Sequence, residues 1–504
     1  MVAKVNTVAL IGFDGALIEV EADIKQGLPG IQIVGMGSKA IDEARERVRS
    51  AISNSLLTFP PRKLTINLAP AELPKEGAHF DLPIAISILI ASGQLKQTEV
   101  NGAAFAGELA LTGELRPIRG AITLAETAHK AGLNTLYVPL ENASQAVLIS
   151  GITVIGIRDL TSLYQHLKQA TVIKPTTTPL IASVIHPDTT PIDDIKGQDQ
   201  AKRALTIAVS GRHNLLLSGP PGAGKTMLAK ALVGLLPPLT PDEQIAVTKI
   251  HSLTGDASPL IQTDRPFRAP HHTTSSIALI GGGARPRPGE ISLAHLGVLF
   301  LDELPEYSRS SLEALRQPLE DKSVSIARTH GRVTYPADFM LVATMNPCPC
   351  GYLGDERHEC MCSATQILAY QKRLSGPLLD RIDLFVNVSK VKNETLLTTN
   401  TLHKTQQSIV VKLIESALVQ QKYRFNSSTI YNGSLSSPEV RKKLAMTDSA
   451  RDLLNTAAER LDLTARSYFK VIKVAQTIAD LSKCPLIEPP HVSEALQFRA
   501  NLPT

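Results

Sequence analysis

Residues 215–226 read Leu215-Leu216-Leu217-Ser218-Gly219-Pro220-Pro221-Gly222-Ala223-Gly224-Lys225-Thr226, and this stretch decides how the chain is read. An apolar run of strand type leads into a glycine-rich loop, and the helical pattern MLAKALVGLL follows at once. This is the strand, loop and helix setting of a Walker A phosphate loop. Gly219, Gly222 and Gly224, with Pro220, Pro221 and Ala223 between them, let backbone N–H groups curl inward onto phosphates at a helix N-terminus. Lys225 is placed for the β- and γ-phosphates and Thr226 for Mg²⁺, so the expected ligands are ATP and magnesium.

Working outward, Val298-Leu299-Phe300-Leu301-Asp302-Glu303 is an apolar strand ending in two acids, the Walker B pattern. Asp302 is expected to hold Mg²⁺, and Glu303 to polarise the attacking water. A third strand, Phe339 to Met345, ends in Asn346, which can orient that water; a turn asparagine is the competing reading. Apolar strands alternate with helices from 205 to 390, which argues for a parallel sheet with its ligand at the strands' carboxyl ends.

At 504 residues the chain is long enough for about three domains. Residues 171–192, rich in Pro and Thr, read as a linker between an α/β domain (1–170) and the nucleotide-binding α/β domain (193–390). Residues 391–504 read as a helical lid, with DSARDLLNTAAERLD and RSYFKVIKVAQTIADLS its clearest helices. No apolar run reaches the eighteen or so residues of a membrane span, and MVAKVNTVALIGFDG lacks a signal-peptide core; a soluble cytoplasmic protein is expected. Lys and Arg outnumber Asp and Glu by 15 to 10 in 391–504, an excess that permits contact with nucleic acid without requiring it.

Four of the five cysteines fall within fifteen residues, as Cys348-Pro-Cys350 and Cys360-Met-Cys362. Such thiolates can surround one structural Zn²⁺, with His358 able to replace one of them; free buried thiols and a redox pair are the alternatives. Two insertions are basic. Arg265 to Glu290 carries Arg265, Arg268, His271, His272, Arg285 and Arg287 around a triple glycine and reads as a flexible loop. Lys322 to Arg332 alternates like a hairpin, with Arg328, His330 and Arg332 near its tip at Gly331. Arg268, Arg285, Arg287, Arg328 and Arg332 are the expected DNA-phosphate contacts; contact with a neighbouring subunit or nucleotide is the competing reading.

The segments IKGQDQAKRAL, FRAPHHTTS, GEISLAHLGVLFLDEL, ALRQPLEDKSVSIART, MNPCPCGYLGD and SGPLLDRIDL resemble the magnesium-chelatase-like branch of the AAA+ ATPases. With the N-terminal domain included, the whole chain resembles the ComM (YifB) family, bacterial proteins implicated in branch migration during natural transformation. The resemblance implies that Asn346 is sensor 1, Arg381 an arginine finger for a neighbouring subunit, Arg466 sensor 2 reaching the γ-phosphate from the lid, and Gln198 a neighbour of the adenine. It implies an ATP-driven helicase or translocase on single-stranded or branched DNA. Independently, a guanidinium beside a γ-phosphate stabilises transition-state charge, and a finger acting in trans is served economically by a homo-oligomeric ring, expected to be a hexamer. In the string Asp-Arg-Ile-Asp, a local ion pair is the bland alternative for Arg381.

LPKEGAHFDLPIAISIL and TGELRPIRGAITLAETAHKAGLNTLYVPLENA resemble the Lon protease domain, but His79 stands where the nucleophilic serine would be and Ile122 where the lysine would be. A fold kept without proteolysis is expected, with Lys75 and His79 the only substitute pair to weigh. A chelatase-like subunit driving metal insertion with a partner, and a protein unfoldase, are the competing functions.

Overall fold

The N-terminal hairpin sets the frame. Strand β1 (Ala3–Ile11) pairs with β2 (Asp14–Lys25) across the two-residue turn Gly12-Phe13, where Gly12 takes a φ of +62° that favours glycine. The computed structural model describes residues 2–35, 39–177, 190–254, 261–283, 287–328, 331–355, 358–391 and 406–499. Much of the expected linker (178–189), the start of the expected lid (392–405) and Arg285 lie outside the described residues.

Strands β3 (Gly30–Val34), β4 (Lys63–Ala69), β5 (Ala103–Phe105), β8 (Thr135–Pro139) and β9 (Thr153–Ile157) complete a seven-stranded mixed sheet ordered β3-β4-β2-β1-β5-β8-β9. A small side hairpin joins β6 (Glu108–Leu109) to β7 (Leu115–Arg116). The helix Asp81–Ala91 is apolar almost throughout, and only its last residue escapes full burial. Its one acid, Asp81, is met by Arg47 through two bonds of 2.8 and 3.0 Å, and burial pushes its carboxyl up to about 6.

The second sheet contains β10 (Leu215–Ser218), β11 (Phe267–Arg268), β14 (Val298–Leu301), β17 (Met340–Met345) and β18 (Leu384–Asn387). All its pairings are parallel, in the order β11-β14-β17-β10-β18. Every residue of β14 and β17 is buried, as expected of parallel strands covered on both faces. This domain also carries two hairpins, β12 (Gly281–Gly282) with β13 (Arg287–Pro288), and β15 (Ser323–Arg328) with β16 (Gly331–Pro336), the second packed into the core through Val324, Ile326 and Tyr335.

C-terminal helices Gln406–Phe425, Ser437–Lys443, Asp448–Arg460, Ala465–Leu481 and Pro489–Gln497 pack into the same core as β10 and β17. Buried Asp480 joins Arg424, Asn432 and Gln476, while His213 at the foot of β10 bonds Thr477 at 2.8 Å. This buried polar network ties the C-terminal helices to the sheet, although His213 Nδ1 and Gln476 Oε1 within it have no hydrogen-bond partner among the described residues. Among the described residues no helix is long and apolar enough to cross a membrane.

The N-terminal domain docks on the ATPase domain through the β1–β2 turn. A Cβ on Gly12 would lie 2.1 Å from Val333 of β16, and the Phe13 ring lies 4.1 Å below the Lys249 ammonium. Lys249 also pairs with Glu126 at 2.6 Å, and the Gly120 N–H donates to Ser252 O at 3.1 Å.

One expectation is corrected here. Arg265 is not part of a flexible cationic loop: it is 8% exposed, pairs with buried Glu243 at 2.9 Å, and donates to Pro237 O and Leu296 O at 2.7 Å each. Its fork satisfies one carboxylate and two carbonyls at once, which only a guanidinium can do. Arg265→Ala leaves Glu243 buried without its partner and is expected to destabilise the ATPase domain by about 3–5 kcal/mol, read as a lower denaturant midpoint.

Candidate active site

The phosphate loop emerges from the carboxyl end of β10, and the helix Lys225–Val233 begins directly after it. Gly222 and Gly224 have φ of +75° and +86°, so the loop curls as only glycine permits without strain. Lys225 Nζ donates to Gly219 O at 2.6 Å, Pro220 O at 3.0 Å and Asn346 Oδ1 at 3.1 Å. Burial holds its pKa below the usual lysine value, against the opposing pull of Asp302 and Glu303. A phosphate anion arriving there restores the cation's lost solvation.

Asp302 ends β14 and Asn346 ends β17, so neighbouring strands deliver both beside the loop. Thr226 Oγ1 lies 3.4 Å from Asp302 Oδ2. Adjacent oxygens on an octahedral Mg²⁺ with bonds near 2.1 Å stand about 3.0 Å apart, so this pair fits the ion with a small inward adjustment. Glu303 is exposed and adopts a φ of +53°, uncommon for a side chain with a Cβ. Its N–H donates to Thr344 Oγ1 at 3.0 Å, and the Thr344 hydroxyl donates to Asp302 Oδ1. Thr344, fully buried in β17, thus fixes both acids; its only sequence signal is a hydroxyl within an apolar strand.

Gln198 precedes the helix Asp199–Gly211 with a φ of +58° and donates to Ser389 O at 2.6 Å and Ala223 O at 3.4 Å. It bridges the phosphate loop to the segment after β18.

The two sequence-chosen arginines lie elsewhere. Arg381 pairs with Glu320 at 2.7 Å, and Arg466 pairs with the other oxygen of the same carboxylate at 3.0 Å. Asn214, immediately before β10, donates its side chain to Arg381 O at 2.7 Å and its N–H to Asp383 Oδ2 at 3.0 Å. The arginines therefore stand at the amino end of β10 while Lys225 stands beyond its carboxyl end. Four residues of strand rise about 13 Å, so neither guanidinium shares a wall with its own phosphate loop. Glu320, which joins the two, lies in the string LEDK and reads in sequence as a solvated acid.

Sγ atoms of Cys348, Cys350 and Cys360 lie 3.4–3.6 Å apart, and all four cysteine sulfurs lie within 4.8 Å of one another. The cluster can hold a metal ion. His358 is not part of it: it faces Asp355 and Lys390, each 3.5 Å from Nδ1, and stacks on Tyr352.

Of the expected DNA contacts, Arg268 is engaged by Glu290 through two bonds of 2.7 and 2.8 Å. Arg287 on β13 and Arg332 on β16 are exposed, and Arg328 closes the second hairpin opposite Gly331. In the N-terminal domain His79 is buried, pulled down to about 4 by desolvation, with Nε2 3.0 Å from Val8 O. Buried Lys75 donates to Pro70 O, and Ile122 is wholly buried in the helix Ala121–Lys130. Lys75 and His79 thus address different backbone carbonyls.

A parallel five-stranded sheet, a phosphate loop at the end of β10, paired acids ending β14 and a packed helical lid define a magnesium-chelatase-like AAA+ ATPase. Residues 191–396 match the family described as "Magnesium chelatase, subunit ChlI", residues 20–142 "Subunit ChlI of Mg-chelatase", and residues 405–499 "Magnesium chelatase, subunit ChlI C-terminal". The chain is 42% identical to "Competence protein ComM" of Haemophilus influenzae, over 99% of this chain and 97% of that protein. It is likewise 42% identical to "Uncharacterized protein YifB" of Escherichia coli, over 98% and 96%. The "Magnesium-chelatase 67 kDa subunit" of Heliobacterium mobile is 27% identical over 39% of this chain and 34% of that protein. The chain belongs to the ComM (YifB) family, and its AAA+ class implies ATPase activity.

Because Thr344 orients the acids without reaching a phosphate itself, Thr344→Val is expected to lower kcat for ATP by about 10–100-fold. Affinity for a fluorescent ATP analogue should stay within a few-fold of the parent.

Proposed function

We propose that this protein is an ATP-driven motor on single-stranded or branched DNA, built as a homo-oligomeric ring, most economically a hexamer, that migrates branches in recombination intermediates. The observation that carries this reading is the placement of Arg381 and Arg466 on one carboxylate, a strand length away from their own Lys225. An arginine pair so placed serves the nucleotide of a neighbouring copy, with Arg381 as the finger and Arg466 as its companion sensor. Every site is completed in this way only when copies close head to tail. Asn346, already bonded to Lys225, orients the attacking water; Gln198 stands beside the base of the bound nucleotide. Thr226 and Asp302 hold Mg²⁺, and the four thiolates hold a structural Zn²⁺.

The competence protein among its relatives supports DNA as the polymer. Exposed Arg332 on the second hairpin, which also carries Arg328, and exposed Arg287 on the first supply surface cations, which suits grip on phosphates without base reading. Arg268, committed to Glu290, orders the first insertion instead. The N-terminal domain, with His79 and Lys75 turned onto carbonyls, acts as a docking frame without peptidase chemistry.

ATPase rates with Holliday-junction DNA, single-stranded DNA and unfolded protein discriminate the readings. Stimulation by DNA alone is expected, declining steeply with salt; stimulation only by unfolded protein identifies an unfoldase, and no response to any polymer leaves the chelatase-like subunit. Lys225→Ala and Arg381→Ala should each be inactive alone, yet regain a substantial part of the parental rate when mixed, because mixed interfaces pair an intact loop with an intact finger. No recovery on mixing, in chains that still assemble, rejects the trans site.

A further inference from the structure

The cysteine cluster and the phosphate loop are parts of one piece of chain. Asn346 accepts from Lys225; Cys348 follows two residues later; Gly351 lies against Pro221 of the phosphate loop. At Gly351 a Cβ would stand 2.7 Å from Pro221 Cδ, and φ is +83°, so contact and conformation both require glycine. Pro347 O accepts from Gln371 Nε2 at 3.1 Å, anchoring the same strap from its other side.

The strap leads into the helix Ala364–Gln371, and Asp355 within the strap pairs with Lys390 at 2.7 Å. The described residues between Cys348 and Cys362 form turns and bends, with no helix or strand. Such a segment needs another source of order to offset its conformational entropy. The sulfur geometry supplies one. A tetrahedral Zn²⁺ with Zn–S bonds near 2.3 Å has sulfurs about 3.8 Å apart, close to the observed 3.4–3.6 Å, whereas a disulfide requires about 2.05 Å. Cys348 Sγ also accepts from the Leu353 N–H at 3.4 Å, the outer-shell support that thiolate ligands use. Four soft donors with no water position select a closed, structural d¹⁰ ion.

We propose that a Zn²⁺ held by Cys348, Cys350, Cys360 and Cys362 braces Asn346 and Gly351 against the phosphate loop, so that nucleotide binding depends on a metal that touches neither nucleotide nor water. The proposal rests on the zinc reading given above. Without the ion, the strap loses its fixed end; Pro221 loses its backing and Lys225 its third oxygen. Metal binding and loop ordering are then a single equilibrium.

The test measures metal content and nucleotide affinity separately. The purified full chain should contain one zinc per chain by elemental analysis. Removing it with a mercurial thiol reagent and a chelator, followed by reduction, should weaken binding of a fluorescent ATP analogue by about tenfold or more. Zn²⁺ should restore binding and Mg²⁺ should not, with far-UV circular dichroism nearly constant throughout. Gly351→Ala should retain one zinc per chain yet bind the analogue about as weakly as the stripped parent, because it breaks the strap and spares the ligands. Folded protein that is purified without zinc and binds nucleotide normally overturns the metal reading. A zinc-containing parent whose affinity survives stripping overturns the brace and leaves the metal site standing.

Discussion

The ammonium of Lys225, held among Gly219 O, Pro220 O and Asn346 Oδ1, is the point to which the rest of the ATPase answers. A partly buried cation is tolerable only where oxygens surround it, and those oxygens come from two different strands. β10 and β17 must therefore be parallel, adjacent and in register, so that the ends after Ser218 and Met345 arrive together. β14 then has one place left for its acids, beside β17, where the Thr344 hydroxyl steadies them.

From that point the constraints spread outward along unequal paths. Toward the lid they pass through buried Asp480 and Thr477, whose partners His213 and Arg424 join helices far apart in sequence. Toward the N-terminal domain they pass through Val333, which meets the β1–β2 turn on the hairpin that also carries Arg332. The hairpin and the docked domain therefore share a packing contact at Gly12 and Val333.

What the sequence disclosed follows from the range of the interactions involved. The phosphate loop, the apolar run before Asp302, the strand before Asn346 and the cysteine spacing are local, and each was legible because its chemistry is complete within a dozen residues. Strand β2 escaped notice because Asp14 to Lys25 alternates only in part, and the helix Gln406–Phe425 because its apolar positions form no clean stripe. The arginines misled for a different reason. Arg265 and Arg268 each meet an acid 22 residues away. Composition reports such cations as free charge; only the fold reveals which have been neutralised. Arg287 and Arg332 kept their exposure because no acid shares their turns.

The shared carboxylate of Glu320 also has a consequence for polarity. Two guanidinium groups on one acid leave a local surplus of positive charge at that pair, while the acids Asp302 and Glu303 lie near the phosphate loop at the other end of β10. Unlike local charges therefore stand about the length of β10 apart. A contact that paired the arginine end of one copy with the same end of another would set like charge against like. A contact from the arginine end of one copy to the phosphate-loop end of the next would set unlike charges together, and a row of such contacts would give every junction the same sense.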